Sequence, residues 1–298
     1  MTLCLAWKHG NAVYFASDSR LTATSKSILT EEATKIFKVG VEIYGPNDSE
    51  FPNAPEELIY HSTFGLCFAG SYLNGSLLAD TLDEVLSNIQ VAPGYSDFTI
   101  ENLSNISFSI YKQVSKQIMA INREQGFAKV LLGGFCPVYN TFRLYEFSTQ
   151  FNTAMGMYDF IKNEIELNTM PVFIGDQVAI EYAKTLLYKI GEQYSAFHLL
   201  REIIDNSEIT TVGGDIQCGV FAQGKFRTYG IVEYDTIEND YGFLEVQHKY
   251  KFRGLDLNLN AEELRSGQIN ISKTFLNPFE RERNELFKKV VDRIEKNI

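Results

Sequence analysis

The chain has 298 residues, of which 45% are hydrophobic and 22% are charged, an ordinary composition for a globular protein with a sizeable core. Its formal net charge of -11 leaves no excess of cations to neutralise phosphates, which argues against nucleic acid as the main partner. No apolar run approaches the roughly 20 residues that cross a bilayer, and the N-terminus lacks the pattern of a signal peptide. We therefore expect a cytoplasmic protein that does not enter a membrane.

The start of the chain has the pattern of a β-hairpin. Leu3, Leu5 and Trp7 alternate with less apolar residues, which is the period of a strand with two unlike faces. Gly10 supplies the positive φ that a tight turn needs, and an apolar return strand follows it. The return strand would end beside the beginning of the chain.

Removal of Met1, which the small side chain of Thr2 permits, would leave a threonine at the N-terminus. Its α-amine, with a reference pKa of about 7.7–8.0, can accept a proton near neutral pH. The hairpin would bring Asp18 and Arg20 close to this amine, and Lys35 begins a further apolar run. A hydroxyl nucleophile needs a base whose pKa and orientation are set by neighbours, and these residues could supply them. A terminal threonine by itself, however, is usually only a terminus.

Residues 40–62 contain a dense group of turn-forming residues, Gly45-Pro46-Asn47-Asp48 and Pro52-Asn53-Ala54-Pro55. We predict a loop insertion over the whole of 40–62. Such an insertion could shape substrate access or a subunit contact, or it could be a passive surface loop.

Four segments carry apolar residues at helical spacing, and strands are predicted between them near 128–135 and 141–148. The apolar positions of the first and second helices are Leu78, Leu82, Val85, Leu86 and Ile89, then Leu103, Ile106, Ile110, Val114, Ile118 and Ile121. Those of the third and fourth are Val178, Tyr182, Leu186 and Ile190, then Phe197, Leu200 and Ile204. We interpret these stripes as core and not as cofactor sites.

The C-terminal part begins with an alternating stretch at 243–252, which predicts a strand. Asn277-Pro278 then has the pattern of a helix start, and Leu286, Val290 and Ile294 repeat every fourth residue towards the end. An amphipathic terminal helix of this kind either docks on its own domain or contacts a neighbouring subunit.

The cysteines and histidines give no indication of a metal. Cys4, Cys67, Cys136 and Cys218 lie far apart in apolar segments, without a C-x-x-C pair or metal-ligand spacing, so we predict buried free thiols. The four histidines are scattered along the chain. We expect no metal and no cofactor.

Several short motifs, read in order, resemble one family. They are Thr2, Ser17-Asp18-Ser19-Arg20-Leu21-Thr22, Lys35-Ile36, Phe68-Ala69-Gly70, Leu131-Leu132-Gly133-Gly134-Phe135 with Leu144-Tyr145, Ile174-Gly175 and Val212-Gly213-Gly214. This ordered set resembles the β-type subunits of proteasomes and their bacterial relatives, the threonine N-terminal-nucleophile (Ntn) hydrolases. Among these relatives, the expected absence of a propeptide and the long C-terminal extension resemble most the bacterial ancestral β-subunit (Anbu) lineage or a sister of it.

The resemblance implies an α+β fold, a four-layer αββα sandwich. Residues 1–234 would form the proteasome-like Ntn hydrolase domain, and residues 235–298 a C-terminal extension of a strand and a helix. It also implies a threonine-type peptidase or amidohydrolase, assembled into a ring or helical homo-oligomer that encloses its own sites. A peptide or protein would be the substrate, and an ATPase is a possible partner.

By the same resemblance, the Thr2 hydroxyl attacks an amide carbonyl and its own α-amine accepts the proton. Lys35 is then the cation beside the hydroxyl, Asp18 pairs with Lys35, and Arg20 braces the cluster. The Gly70 N–H faces the developing oxyanion.

Substrate contacts are implied for Thr22 and Gly70, whose backbone groups would pair with an extended peptide. Leu21, Phe68 and Tyr72 are the candidates for an apolar pocket beside the scissile bond. One position departs from the family pattern, because Asp176 stands where the family generally has a serine. Its carboxylate could hold the amine protonated, or it could simply cap the following helix.

Two other functions fit the same residues. The first is a non-proteolytic Ntn amidase that acts on a small amide. The second is a non-catalytic assembly subunit that keeps the sandwich for packing alone.

Overall fold

A computed structural model describes residues 2–24, 27–46, 57–167, 170–190, 195–238, 244–257 and 274–296. Strands and helices alternate along the chain in blocks, which makes this a mixed α+β protein. In chain order the elements are β1 (Leu3–His9), β2 (Ala12–Ser17), β3 (Leu21–Thr24), β4 (Ser27–Thr30), β5 (Ile36–Tyr44), β6 (Leu58–Gly70), α1 (Tyr72–Leu86), β7 (Ile89–Gln90), α2 (Ile100–Asn122), β8 (Ala128–Phe135), β9 (Phe142–Asn152), β10 (Met157–Ile165), β11 (Val172–Gly175), α3 (Gln177–Ile190), α4 (Ala196–Ile204), β12 (Gln217–Ala222), β13 (Lys225–Glu238), β14 (Leu244–Phe252), β15 (Leu255–Asp256), β16 (Phe275–Leu276) and α5 (Glu280–Lys296).

The first sheet has the strand order β11-β1-β2-β12-β13-β14-β15, with β16 beside β13. Its first hairpin is the one predicted from the alternating pattern. The register pairs Cys4 with Ser17 and His9 with Ala12, and Gly10 in the turn has φ +59°. The hairpin brings the end of β2 back to the start of β1, so the predicted proximity of Asp18 to the N-terminus is confirmed.

The second sheet has the order β10-β9-β8-β6-β5-β7. Within it the prediction of a loop over residues 40–62 is wrong at both ends. Gly40 pairs with Thr63 and Tyr44 with Leu58, so residues 40–44 and 58–62 extend the β5–β6 ladder. The reason is that Val41 and Ile43 point into the core with a strand period, which outweighs the turn residues that follow them. Residues 47–56 lie outside the described part of the chain.

Three buried clusters relate the sheets to the helices. One lies between the first sheet and helices α3 and α4, and another between the second sheet and helices α1 and α2. The third joins side chains of both sheets directly, with Phe15 and Phe221 on one side and Cys67 and Leu131 on the other. The two sheets therefore pack face to face and share a core.

The four predicted helices α1 to α4 are all present, but the apolar stripes mark their buried faces only in part. Ile89 lies in β7 and not in α1. On α2, Ile106 and Ile121 are 40% and 82% exposed, while Ser104 and Ser107 are fully buried. Each of these two serine hydroxyls donates to a carbonyl of its own helix, which satisfies the hydroxyl and lets the helix pack closely.

The C-terminal part is joined to the first sheet. Strand β13 runs through residues 234 and 235 without a break, and β14 pairs with it along most of its length. Helix α5 begins against its own chain, because Phe279 is buried in the first cluster and the Glu282 carboxylate lies 3.1 Å from His198 Nε2. The side chains of Val290 and Ile294 lie outside the described residues. The division into domains at residue 234 stays a prediction.

None of the helices in the described part of the chain combines the length and the apolar character needed to cross a membrane.

Candidate active site

The side chain of Asp18 connects three separate parts of the chain. It is fully buried just after the end of β2. Its Oδ1 accepts a hydrogen bond from the Leu3 N–H at 3.0 Å, and its Oδ2 accepts one from the Gly213 N–H at 3.1 Å. The same Oδ2 lies 3.0 Å from Lys35 Nζ. One carboxylate thus holds the start of the chain, the segment before β12 and a buried cation together.

Lys35 is 1% exposed, so its ammonium is removed from water and must be paired. Besides the Asp18 carboxylate, its Nζ donates to the Arg20 carbonyl oxygen at 2.5 Å. An ammonium has three N–H groups, and its contacts among the described residues account for two. The Lys35 backbone is fixed on both sides, because its N–H donates to Gln217 and its carbonyl accepts from Phe68.

Arg20 lies at the edge of this cluster and joins it to the loop before β12. Its Nε is 2.9 Å from a Glu31 carboxylate oxygen, and its Nη1 donates to the carbonyl oxygens of Thr210 at 3.0 Å and Val212 at 3.3 Å. The Arg20 N–H also donates to the Gly213 carbonyl at 2.9 Å. These bonds are what a bracing role requires.

Thr2 is 3% exposed, and its carbonyl oxygen accepts a hydrogen bond from the Asp176 N–H at 2.8 Å. Gly175, with φ +132°, makes this approach possible, since a Cβ at that position would overlap the Thr2 carbonyl. The strand end of β11 is therefore shaped around the backbone of Thr2.

The Asp176 carboxylate has a structural role. Its Oδ1 accepts from the N–H groups of Val178 and Ala179 at 2.8 and 3.1 Å, which caps α3. Its Oδ2 accepts from the Thr211 hydroxyl at 2.7 Å. Of the two interpretations of this aspartate, these contacts favour the helix cap.

Gly70 ends β6 at an exposed position with φ +105°. A Cβ there would overlap the carbonyl oxygen of Phe127, so the backbone conformation requires glycine. The next residue, Ser71, donates its N–H to the Phe127 carbonyl at 2.6 Å and caps α1 with its hydroxyl. Gly70 is thus an exposed residue at the last position of β6, opposite Ala128 of β8 and two residues before the start of α1.

The three predicted pocket residues, Leu21, Phe68 and Tyr72, and the predicted backbone contact Thr22 differ in exposure. Leu21 and Thr22, on β3, and Tyr72, at the start of α1, are all partly exposed. Phe68 is 1% exposed and packs on Phe37 and Tyr72 with ring centroids 6.0 Å apart in each case. The Phe68 ring is therefore part of the core. Substrate contacts of the other three stay a prediction.

The thiols near the site are core groups, as the sequence predicts. All four cysteines are free and buried. Cys4 Sγ donates to the Phe68 carbonyl at 3.0 Å. Burial, together with a hydrogen bond that the Cys67 thiol makes to Cys4, raises the pKa of Cys67 well above its usual value. A buried thiol with a raised pKa is a poor nucleophile at neutral pH.

Sequence reasoning missed the parts played by Ser19, Glu31 and Thr211. Ser19 Oγ accepts from the Asp215 N–H at 2.7 Å and donates to the Glu31 carbonyl, while Glu31 and Thr211 pair with Arg20 and Asp176. Ser19 lies inside one of the quoted motifs and Thr211 directly precedes another, so their positions were a signal, but their partners depend on the fold.

These sheets and helices form a mixed α+β fold, which can be compared with known proteins. No family model matches the sequence, and no curated protein matches it either. Among solved structures, an Anbu (Gly-1) mutant from Hyphomicrobium sp. strain MC1 aligns with 100% of this chain and 98% of its own, at 13% identity and a TM-score of 0.50. This likeness shows the fold and confirms the predicted resemblance at that level.

Two further solved structures are more distant in shape. Anbu from Yersinia bercovieri aligns over 76% of this chain and 86% of its own, at 17% identity and a TM-score of 0.48. Eukaryotic HslV from Trypanosoma brucei aligns over 74% of this chain and 98% of its own, at 16% identity and a TM-score of 0.39.

Proposed function

We propose that this protein is a threonine-type amide hydrolase of the proteasome-like kind, with Thr2 as its N-terminal nucleophile once the residue before it has been removed. The observation that carries the proposal is the buried pair of Lys35 and Asp18. The Asp18 carboxylate that holds the Lys35 ammonium also accepts the N–H of Leu3, the residue that follows Thr2. A buried cation that shares a carboxylate with Leu3, the residue directly after Thr2, is suited to activating Thr2.

In the proposed reaction, the α-amine of Thr2 takes the hydroxyl proton while Oγ attacks the amide carbonyl carbon. The resulting oxyanion is stabilised by the Gly70 N–H, and loss of one such donor typically costs about 10²–10³ in rate. The tetrahedral intermediate collapses, the C–N bond breaks, and the leaving amine takes the proton from the α-ammonium. Water, deprotonated by the same amine, then hydrolyses the ester on Thr2 and releases the acid.

Lys35 has two roles in this proposal. Its positive charge favours the alkoxide form of the hydroxyl, and by repulsion it disfavours protonation of the α-amine, which keeps the amine available as a base. Among the described residues the acceptors of its Nζ are Asp18 and the Arg20 carbonyl, and we assign the third N–H to the Thr2 hydroxyl. Asp18 and Arg20 hold it in position, and Asp176 fixes the Thr2 backbone.

The proposed substrate is a peptide bound in an extended conformation. Its backbone would pair with Thr22 on β3 and pass Gly70, which is exposed.

We also propose the complete four-layer αββα arrangement. It is supported by the core cluster between the two sheets and by the cluster that joins each sheet to a pair of helices on its outer side.

We also propose that the protein assembles into a homo-oligomer in the cytoplasm, with an ATPase as a possible partner. Exposed apolar side chains on β4 support an interface, because Ile28 and Leu29 are 50% and 62% exposed on neighbouring positions. Light scattering on the purified chain tests the oligomeric state directly, and a monomer at micromolar concentration would contradict it.

The experiment that tests the catalytic proposal compares Thr2→Ala and Thr2→Ser with the unchanged chain on fluorogenic peptides. Intact mass first establishes that each preparation begins at residue 2. Thr2→Ala should lower kcat/KM by at least about 10³-fold, because the nucleophile is lost, whereas Thr2→Ser keeps an attacking hydroxyl and measurable activity. Thr185→Ala, a threonine on the exposed face of α3, is the matched control and should leave activity unchanged. Equal activity of Thr2→Ala and the unchanged chain would refute the proposal.

A further inference from the structure

The turn between β14 and β15 lies against the segment that follows Asp18. Gly254, in that turn, is buried and has φ +84°. A Cβ at this glycine would lie 3.1 Å from Ser19 Cβ and 2.9 Å from Glu32 Cα. It would also lie 3.2 Å from the Glu31 carbonyl oxygen. The turn thus touches both the residue after Asp18 and the segment that leads into β5.

Ser19, which the turn covers, is fully buried and bonded in several directions. Its Oγ accepts from the Asp215 N–H at 2.7 Å and donates to the Glu31 carbonyl. Its own N–H donates to the Gly213 carbonyl at 3.1 Å, and its carbonyl accepts from the Ala33 N–H at 2.8 Å. A displacement of Ser19 therefore displaces the segments on both sides of it.

These neighbouring segments carry the buried pair of the candidate site. Asp18 precedes Ser19 directly, and Lys35 follows Ala33 by two residues. The side-chain amide of Gln217 joins the second segment further, since it accepts from the Lys35 N–H and donates to the Ala33 carbonyl. The position of Ser19 therefore acts on both members of the pair that the proposed mechanism uses.

A mostly buried cation connects the same part of the chain to the site by a second route. Lys251, on β14, is 16% exposed, and its Nζ lies 3.3 Å from Asp215 Oδ2 and 3.5 Å from Asp256 Oδ2. Asp215 is the residue whose N–H donates to the Ser19 hydroxyl. Because one ammonium binds both carboxylates, Lys251 fixes β14, β15 and the segment before β12 relative to one another.

We propose that the β14–β15 turn is a positioning element of the active site, in which Gly254 and Lys251 hold Ser19 in place. Ser19 in turn sets the separation of Asp18 and Lys35. This inference rests on the proposed function above. The positioning residues act through the Lys35 ammonium, whose charge keeps the N-terminal α-amine available as a base. The C-terminal part of the chain then contributes to catalysis as well as to the fold.

The test compares Gly254→Ala with Gly224→Ala. Both glycines are the second residue of a two-residue hairpin turn, with φ of +84° and +76°, so the backbone strain of an alanine is matched. Only at Gly254 would the new Cβ meet other atoms, since at Gly224 none of the described residues comes within 4 Å of it. Gly224 also lies at the end of β12 remote from the site, because Gln217, at the other end, pairs with Ser17.

Gly254→Ala should lower kcat about 10- to 100-fold and change KM less than about threefold, because a displacement of about 1 Å at a catalytic group can cost about 10² in rate. It should also move the acid limb of the pH profile of kcat/KM to higher pH by about half a unit, because a Lys35 ammonium that is less firmly held repels the protonated α-amine less. Gly224→Ala should change neither. Loss of folded protein alone lowers kcat without moving the limb, so the pH profile separates positioning from stability.

Lys251→Met is a milder second variant, which also serves if alanine at the buried Gly254 prevents folding. It keeps the length of the side chain and removes the charge that holds Asp215. It should lower kcat about 3- to 10-fold and move the acid limb in the same direction. Lys249→Met, two positions earlier on β14, is the control and should change neither, since Lys249 pairs with the exposed Asp235.

Equal kcat of Gly254→Ala and Gly224→Ala, or a fall in kcat with the acid limb unmoved, overturns this inference, while hydrolysis by the unchanged chain still supports the proposed function. If Gly254→Ala does not fold, the two lysine variants decide by the same criteria. If an unchanged chain that begins at Thr2 cleaves no peptide, the proposed function fails, and hydrogen exchange then decides the inference separately.

The exchange measurement follows the fragment 209–217 by mass spectrometry. This fragment contains the Gly213 and Asp215 N–H groups, which donate to the Asp18 carboxylate and to the Ser19 hydroxyl. Faster exchange of the fragment in Gly254→Ala than in Gly224→Ala, with β9 unchanged in both, supports the inference. Equal exchange in the two variants contradicts it.

Discussion

The buried pair of Asp18 and Lys35 can be tested by a change that keeps shape and removes charge. Asp18→Asn is close to isosteric, but it leaves the Lys35 ammonium, 1% exposed, without a counter-ion. It also disrupts acceptance from Leu3, Gly213 or Lys35, because an amide has one acceptor oxygen where the carboxylate has two. Breaking a buried pair in this way typically costs about 3–5 kcal/mol.

The double variant Asp18→Asn/Lys35→Met separates the pair from its parts. Methionine is similar in length to lysine and has no charge to leave unpaired, so the double variant should recover part of the lost stability. Urea denaturation of the unchanged chain, Asp18→Asn, Lys35→Met and the double variant gives the four free energies of unfolding and the coupling energy between the two positions. Asp18→Asn and the double variant should both be inactive on peptides, although the double variant regains stability.

The control is Glu181→Gln, which removes a carboxylate from an exposed pair. Glu181 and Lys184 are 59% and 56% exposed, and such pairs contribute about 0–1 kcal/mol. If Asp18→Asn costs no more than Glu181→Gln, the ammonium is not buried against that carboxylate in solution, and the reasoning is wrong.

Two further predictions concern the backbone and the core. Gly175→Ala should destabilise the chain by about 3 kcal/mol or more in chemical denaturation, because at φ +132° the new Cβ overlaps the Thr2 backbone carbonyl. The control Gly94→Ala, at φ +75° with open space around it, should cost only about 1–2 kcal/mol. Equal costs for the two variants would contradict the close approach of Gly175 to Thr2. Burial raises the pKa of Tyr111 from 10.0 to about 12, so on raising the pH the unfolded chain loses the phenol proton before the folded chain does. The stability that Tyr111 contributes is therefore fully present below pH 10. It should fall by about 2–3 kcal/mol between pH 10 and 12. Tyr111→Phe should lack this part of the alkaline loss and Tyr188→Phe, 94% exposed, should keep it; identical pH profiles of stability would refute the assignment.

Much of the framework is encoded locally and was predictable. The period-two pattern of β1, with Gly10 in the turn, places Asp18 beside the start of the chain, and the structure confirms this. The helices α1 to α4 follow from their apolar spacing. The strand at 243–252 and a C-terminal helix were also predicted, by alternation and by a capping pattern, although α5 begins at Glu280, two residues after Pro278. The sequence left open whether this helix docks on its own chain.

The errors have physical causes. On α2, serines are buried where isoleucines were expected, because a hydroxyl bonded within its own helix is small enough to pack closely. In the β5–β6 hairpin, the turn residues in the middle of 40–62 led to a loop prediction for the whole segment, although residues 40–44 and 58–62 are strands. Strand β10, with few buried side chains, gave too weak a pattern to be predicted.

The missing parts of the site are long-range contacts. Gly213 donates to Asp18 across 195 positions of sequence, and no local pattern specifies such a partner. The same holds for Gly254, which packs on Ser19 and Glu32 only because β14 continues the first sheet. Tertiary structure, and not spacing, brings these groups together.

The most direct test of the central claim is covalent labelling of the mature chain with a peptide epoxyketone, followed by mass mapping of the N-terminal fragment. An epoxyketone consumes a hydroxyl and the α-amine of the same residue, so we expect one adduct, located at Thr2. A matched chain with a leucine inserted between Met1 and Thr2, which keeps its N-terminus away from the hydroxyl, should not react. A folded chain that begins at Thr2 and yields no adduct there, or one only at another residue, would contradict the account.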